Sequence, residues 1–224
     1  MWTPELAYEF ARIGLNVTEA QVGALESFAD KLYALNEQKN LTRIPREDVW
    51  IRHYLDSVLF HDLIPVGASV LDIGCGAGFP AWPLACLRPD LLVTGLDANG
   101  KAVNFLKSVP LENLTIEEGR AESWMPERFF DVVTGRALAP LSVQMEVSAA
   151  LCKIGGFIIP MRTPGDELAI ESFPSQKLGL NLRRVEKRVL FRLEAPRWFP
   201  VYEKVSNTPS RYPRLWADIK RKPL

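Results

Sequence analysis

Residues 70–80, Val70-Leu71-Asp72-Ile73-Gly74-Cys75-Gly76-Ala77-Gly78-Phe79-Pro80, decide the fold class of this chain. An apolar run, Ser69–Ile73, enters a glycine-rich turn, and Pro80 starts the next helix. Glycine permits the tight turn and lets a ligand come close to the backbone. Such a turn, at the carboxyl end of a parallel strand, is where open α/β sheets bind ligands. The spacing is Gly-x-Gly-x-Gly. Phe79 occupies the third-glycine position of a dinucleotide fingerprint, and no Gly-Lys-Ser/Thr follows, which argues against a P-loop. Asp72, close before the first glycine, favours a cationic ligand over a pyrophosphate.

Outward from this turn, short apolar or β-branched runs recur at Leu92–Leu96, Leu114–Glu118, Asp131–Thr134 and Phe157–Met161. Helical segments are predicted between them, near 80–88, 99–108, 121–125 and 138–152. The alternation predicts a parallel sheet with crossover helices. Leu180–Leu193 and Trp198–Val205 alternate polar and apolar residues around Glu194-Ala195-Pro196-Arg197, which predicts an antiparallel pair closing the sheet. Upstream lies a helical preface. Thr3-Pro4 reads as a cap and first helical residue. Thr18-x-x-Gln21 is a capping-box start for an amphipathic helix over residues 19–37. Pro45 opens a third helix, through about Leu63.

The 224 residues are 47% hydrophobic and 24% charged, enough for one substantial core and unlike a disordered chain. No run reaches the roughly 20 apolar residues of a membrane span. The first residues carry no basic-then-apolar signal, so a cytoplasmic protein is expected. Cys75, Cys86 and Cys152 are too few and scattered for a disulfide framework or a zinc site, and read as small apolar fillers. The absence of heptads predicts a monomer. Formal charge is zero, but after Leu182 there are 12 Lys and Arg against 4 Asp and Glu, a net of +8, leaving −8 on residues 1–182. That asymmetry points to a polyanion partner or to a solvated strand face.

Val70–Gly78 resembles the first motif of class I methyltransferases. The resemblance implies a Rossmann-like seven-stranded α/β sheet binding S-adenosyl-L-methionine, with Asp72, Gly74, Gly76 and Gly78 at the methionine and ribose end. Asp97, in Gly95-Leu96-Asp97-Ala98 at the end of the second strand, fits the ribose hydroxyls, because a carboxylate accepts two hydrogen bonds from a vicinal diol. Read alone, Asp97 could also be a helix cap. Asn40-Leu41-Thr42 followed by Arg52-His53-Tyr54-Leu55-Asp56-Ser57 resembles the RsmG family of 16S rRNA guanine-N7 methyltransferases, formerly glucose-inhibited division protein B. Gly76–Pro80, Arg120-Ala121-Glu122 and Gly135-Arg136-Ala137 also stand where that family has corresponding segments, and the likeness runs from about Leu35 to Val205. It implies cofactor contacts at Gly74, Phe79, Ala121, Glu122 and Arg136, with Ala98 beside Asp97. Arg162 departs from the family's usual lysine; the charge is kept but the donor geometry differs.

Substrate-pocket candidates are Arg52, His53, Asp56, Ser57, Arg136 and Arg162. The helix carrying the first four residues can pair Arg52 or His53 with Asp56, either as a structural ion pair or as a polar face toward substrate. No Asp/Asn-Pro-Pro-aromatic motif follows the fourth strand, which disfavours exocyclic-amine methylation. No cysteine sits in a loop suited to covalent pyrimidine chemistry. The expected partner is 16S rRNA or the small ribosomal subunit, not DNA or a membrane, with no metal. The alternatives are a methyltransferase acting on a small molecule or protein, and a non-catalytic RNA-binding assembly factor. Three regions follow: a helical extension (1–64), the methyltransferase domain (65–206) and a basic tail (207–224). The tail's Arg211, Arg214, Lys220, Arg221 and Lys222, among prolines, Tyr212 and Trp216, predict a partly mobile arm on RNA phosphates or one docked on its own acidic domain.

Overall fold

The computed structural model describes residues 1–224. Its strands are β1 (Ser69–Ile73), β2 (Leu92–Asp97), β3 (Leu114–Glu118), β4 (Phe130–Arg136), β5 (Cys152–Met161), β6 (Leu180–Leu190) and β7 (Ala195–Lys204). They form one seven-stranded sheet in the order β3-β2-β1-β4-β5-β7-β6. β1 to β5 pair in parallel, and β7 inserts antiparallel between β5 and β6. The order reverses between β1 and β4. That switch point opens a crevice above the carboxyl ends of the two strands.

The helices are α1 (Pro4–Arg12), α2 (Glu19–Lys39), α3 (Asp56–Val58), α4 (Ala81–Leu87), α5 (Gly100–Lys107), α6 (Leu141–Ala149), α7 (Glu167–Ser172) and α8 (Trp216–Arg221). Both predicted N-terminal starts form. Thr3 caps α1 at Leu6, and Thr18 and Gln21 make a reciprocal capping box on α2. The preface shares one core with the sheet. Leu25, Phe28 and Leu32 of α2 pack in the same cluster as Leu84 of α4 and Val70 of β1. Phe28 lies 4.2 Å, centroid to centroid, from Trp82 and edge-on to Phe105 and Phe79. Truncating such a side chain costs about 3–5 kcal/mol.

Three expectations are corrected, and one left open is decided. The helix predicted from Pro45 is three unlike pieces: a 3-10 turn (Arg46–Asp48), a π-helix (Val49–Leu55) and the short α3. No helix forms at 121–125. A single turn closes there, with Trp124 N–H on the Arg120 carbonyl at 2.8 Å, and Pro126 blocks its continuation. The hairpin turns at 191–194, where Arg192 and Glu194 have positive φ, rather than at 194–197. Pro196 is tolerated within β7 because it lies beyond Trp198, the last residue on that side bridged toward β5. The basic tail is docked: α8 buries Ile219 against Val143 and Val147 of α6.

The charge asymmetry has a structural explanation. Five basic residues after Leu182 pair with acids before it: Lys187 with Glu167, Arg188 with Asp62, Arg192 with Glu5, Arg197 with Asp56 and Arg214 with Glu146. Much of the basic excess therefore neutralises the acidic remainder of the same chain.

Candidate active site

β1 ends in Ile73 and releases the chain into the glycine turn. Gly74, Gly76 and Gly78 all have positive φ, at +70°, +53° and +102°, which L side chains rarely adopt. The three face different surroundings. A Cβ on Gly78 would meet Leu106 at 2.6 Å and Trp82 at 3.1 Å, so this glycine makes room for the core. A Cβ on Gly74 would meet Leu138 at 2.5 Å, whereas one on Gly76 would meet nothing within 4 Å. Only Gly76 leaves a cradle open beside the turn.

Two carboxylates hold the turn. Asp72 is fully buried under it. Its Oδ2 accepts the Ala81 N–H at 2.9 Å, tying the turn to the start of α4, and its Oδ1 has no partner. Burial pushes this carboxyl up to about 7. Asp97, half-buried at the end of β2, accepts Gly76 N–H through Oδ2 and Asn99 N–H through Oδ1, both at 2.7 Å. The helix cap is Asn99, whose side chain accepts Lys101 N–H. The capping alternative for Asp97 therefore falls away. Each of its oxygens keeps a lone pair for a further donor.

A cavity of roughly 260 Å³ opens over the ends of these strands. Gly74 follows β1, Asp97 ends β2 and Ala98 follows it, Ala121 and Glu122 follow β3, and Leu138 follows β4; all line it. Ala137, with φ +53°, lines it too, a left-handed residue where the chain leaves β4. Among the residues named from the sequence, Gly74, Asp97, Ala98, Ala121 and Glu122 converge on this cavity. Asp72, Gly76, Gly78, Phe79 and Arg136 lie outside its lining, beneath or beside the turn.

Phe79 and Arg136 belong to a second, polar assembly. His53 stacks on Phe79, ring to ring at 3.8 Å and 5°. Its Nδ1 receives Arg136 Nη2 at 3.1 Å, and its Nε2 meets Thr42 Oγ1 at 2.8 Å. Arginine only donates, so the imidazole proton sits on Nε2. Burial, reinforced by the charges of Arg136 and Arg52, lowers the His53 pKa to about 3, so the ring is neutral. Asp56, buried, accepts from Arg136 Nη1 at 3.1 Å and from Arg197 Nε at 2.7 Å. α3, β4 and β7 are thereby joined through one acid. Burial lowers the Arg136 pKa, and Asp56 opposes that fall. Three of the five Arg136 N–H groups are committed, to Arg52 O, Asp56 and His53.

Several substrate-pocket expectations change here. Arg52 does not pair with Asp56; it is exposed and pairs with Asp48 at 3.2 Å, because both Asp56 oxygens are taken by arginines. His53 does not pair with Asp56 either; Arg136 bridges them. Ser57 is fully buried with Oγ unpartnered, so it presents no face to solvent. Arg162 is buried and does not line the cavity. It donates to the Ala139 carbonyl at 2.9 Å and to Gln144, which in turn holds the Gly135 carbonyl at 3.1 Å. It thus shapes the loop after β4. Thr42, Gln144, Arg197 and the cavity-lining Leu138 and Trp216 join these assemblies beyond the predicted residues. Thr42 stands in a motif and Leu138 follows β4 directly; Gln144, Arg197 and Trp216 are brought in from other elements.

A glycine turn at the switch point of a 3-2-1-4-5-7-6 sheet with one antiparallel strand defines the class I methyltransferase fold. M. jannaschii TYW2, solved in complex with AdoMet, superposes with a TM-score of 0.53 over 69% of this chain and 78% of that one, at 18% identity. The family model for rRNA small subunit methyltransferase G matches residues 21–189. Ribosomal RNA small subunit methyltransferase G of Lactobacillus johnsonii is 35% identical over 237 residues, covering 99% of both chains. That of Lactobacillus delbrueckii subsp. bulgaricus is 37% identical over 238 residues, again covering 99% of both. This chain belongs to the rRNA small subunit methyltransferase G family.

Proposed function

We propose that this chain, as a monomer, transfers a methyl group from S-adenosylmethionine to N7 of a guanine in 16S rRNA. Membership of the rRNA small subunit methyltransferase G family gives the reaction type and the substrate RNA. The observation favouring N7 is that both candidate bases are committed. His53 is neutral, with Nδ1 occupied and Nε2 protonated, and Asp56 is held between two arginines. The thiols of Cys86 and Cys152 are raised to about 12 by burial, which argues against a covalent pyrimidine route. Guanine N7 carries a lone pair and no proton, so its methylation asks for alignment rather than a base. Proximity of this kind can supply roughly 7–11 kcal/mol.

The residues fit the cofactor. Asp97 would take the ribose hydroxyls, the Gly76 cradle would let the chain approach closely, and Ala121, Glu122 and Leu138 would flank the base. Asp72 supports the turn from beneath and does not line the cavity. When bound, S-adenosylmethionine supplies an electrophilic methyl on a sulfonium. Arg136, with two uncommitted N–H groups, would orient the guanine; His53 and Asp56 position that guanidinium. The test is incubation of small ribosomal subunits and naked 16S rRNA with labelled cofactor, then borohydride–aniline cleavage, which cuts at 7-methylguanine. A single labelled cleavage site is expected. Label stable to that treatment would refute N7.

A further inference from the structure

The cavity over β1–β4 has one wall from far outside the methyltransferase core. Trp216, half-buried, lines it together with Asp97, Ala121, Glu122 and Leu138. The indole packs against the cluster formed by Val143, Val147 and Ile219, as do Ala121 and Leu138. We propose that Trp216 is the adenine-facing wall of the cofactor pocket, so that the C-terminal segment belongs to the binding site. This rests on the reading of the cavity as the S-adenosylmethionine site.

Three observations carry the assignment. The lining pairs Asp97, suited to a diol, with an apolar set, Ala121, Leu138, Val147 and Trp216, that packs as one cluster. Adenine is the flat, weakly hydrated part of the cofactor, and an indole face is a good stacking partner for it. Second, Trp216 is held in place. Ile219, fully buried, anchors the same helix on α6. Third, the preceding residue pair is fixed by charge. Arg214 meets Glu146 of α6, a fully buried acid, through its backbone N–H at 3.0 Å and its Nε at 2.8 Å, and closes onto the Lys222 carbonyl at 3.0 Å. A segment committed in this way is built into the site rather than left as a free arm.

The test uses calorimetry on the full chain with S-adenosylhomocysteine and with adenosine as probes. Trp216→Ala is expected to raise both dissociation constants by the same factor, about ten-fold (~1.4 kcal/mol). Trp216→Phe should stay within about three-fold. Lys220→Ala, at an exposed position on α8, should leave both unchanged. The chain has 6 tryptophans, and the proposal makes Trp216 the main reporter of ligand. The emission change on adding S-adenosylhomocysteine should therefore fall by half or more in Trp216→Phe. If Trp216→Ala lowers the melting temperature, that emission comparison decides, and an undiminished change overturns the proposal. Trp216→Ala binding both probes within two-fold of wild type also overturns it. Failure of the wild-type chain to bind either probe would instead overturn the cavity assignment beneath it.

Discussion

Replacing Asp97 by Ala removes two acceptors at once: Oδ2, holding Gly76 N–H, and Oδ1, holding Asn99 N–H. In the ligand-free chain both amides lie at half-exposed or exposed sites where water can substitute, so the stability loss is modest, about 1–2 kcal/mol. For a chain of this size that lowers the melting temperature by roughly 2–8 °C. The loss for the cofactor is larger. Hydrogen bonds to a charged acceptor contribute about 1.5–3 kcal/mol each, and the loop carrying Gly76 is released as well. A total of about 3–6 kcal/mol raises the dissociation constant for S-adenosylhomocysteine roughly 100- to 20,000-fold. Asn99→Ala is the control. It removes the true helix cap, costs about 0.5–2 kcal/mol of stability, and should leave affinity alone. Calorimetry and thermal melting on the same samples read both quantities. An Asp97→Ala protein that melts lower yet binds within three-fold of wild type would refute the ribose role and leave Asp97 as a clamp on the turn.

The open and the core-facing glycines of the turn should respond differently. Gly76→Arg, at an open position, is expected to abolish S-adenosylhomocysteine binding with a melting-temperature loss below about 5 °C, whereas Gly78→Arg drives a side chain into Leu106 and Trp82 and should not fold; near-normal affinity in Gly76→Arg would exclude the cradle. His53 protonates at about 3 in the folded chain and near 6.5 unfolded, so the unfolded state binds more protons between those values. Stability is full above about pH 6.5 and falls toward pH 3 by up to ~1.4 kcal/mol per unit from this residue, and His61, also lowered by burial, adds to the fall. Urea titrations at pH 5 and 7 should show a smaller difference in His53→Gln than in wild type; an equal difference sinks the assignment. Arg214→Met leaves the buried Glu146 carboxylate without its cation and should cost about 3–5 kcal/mol, or roughly 6–20 °C; a change under 3 °C would mean that water replaces the pair.

Local signals carried most of the architecture. The glycine turn, the capping box at Thr18 and Gln21, and the alternation of strand and helix are contacts within a few residues, so their outcome could be read directly. β5 begins at Cys152 rather than Phe157 because the ladder is irregular across Lys153–Gly156, where Gly155 adopts a positive φ that no apolar pattern announces. The site was legible where cavity residues immediately follow a strand, as with Gly74, Asp97 and Ala121. It was not legible where partners come from distant elements. Asp56 looks like an i+4 partner for Arg52 in sequence, but Arg136 and Arg197 reach it from the sheet, 80 and 141 residues away. The tail stayed undecided for a similar reason. Five cations among prolines and aromatics fit a mobile arm or a docked one, and Glu146, fully buried on another helix, supplies the counter-charge for Arg214 that decides for docking.

The π-helix at Val49–Leu55 has its own consequence. Asp56 N–H reaches back five residues, to Ile51 O, so this turn holds one residue more than an α-helical turn would. Each residue of an α-helix advances the face by about 100°. The extra residue therefore sets the phase at which His53 meets Arg136 and Asp56 meets both arginines. Deleting one residue between Asp48 and Arg52 would let the segment relax to regular α-helix and swing that face out of register, with every member of the circuit still present. Among natural variants of this segment, substitutions on its exposed side should be common and changes of length rare, because what the turn stores is a count of residues more than their kind.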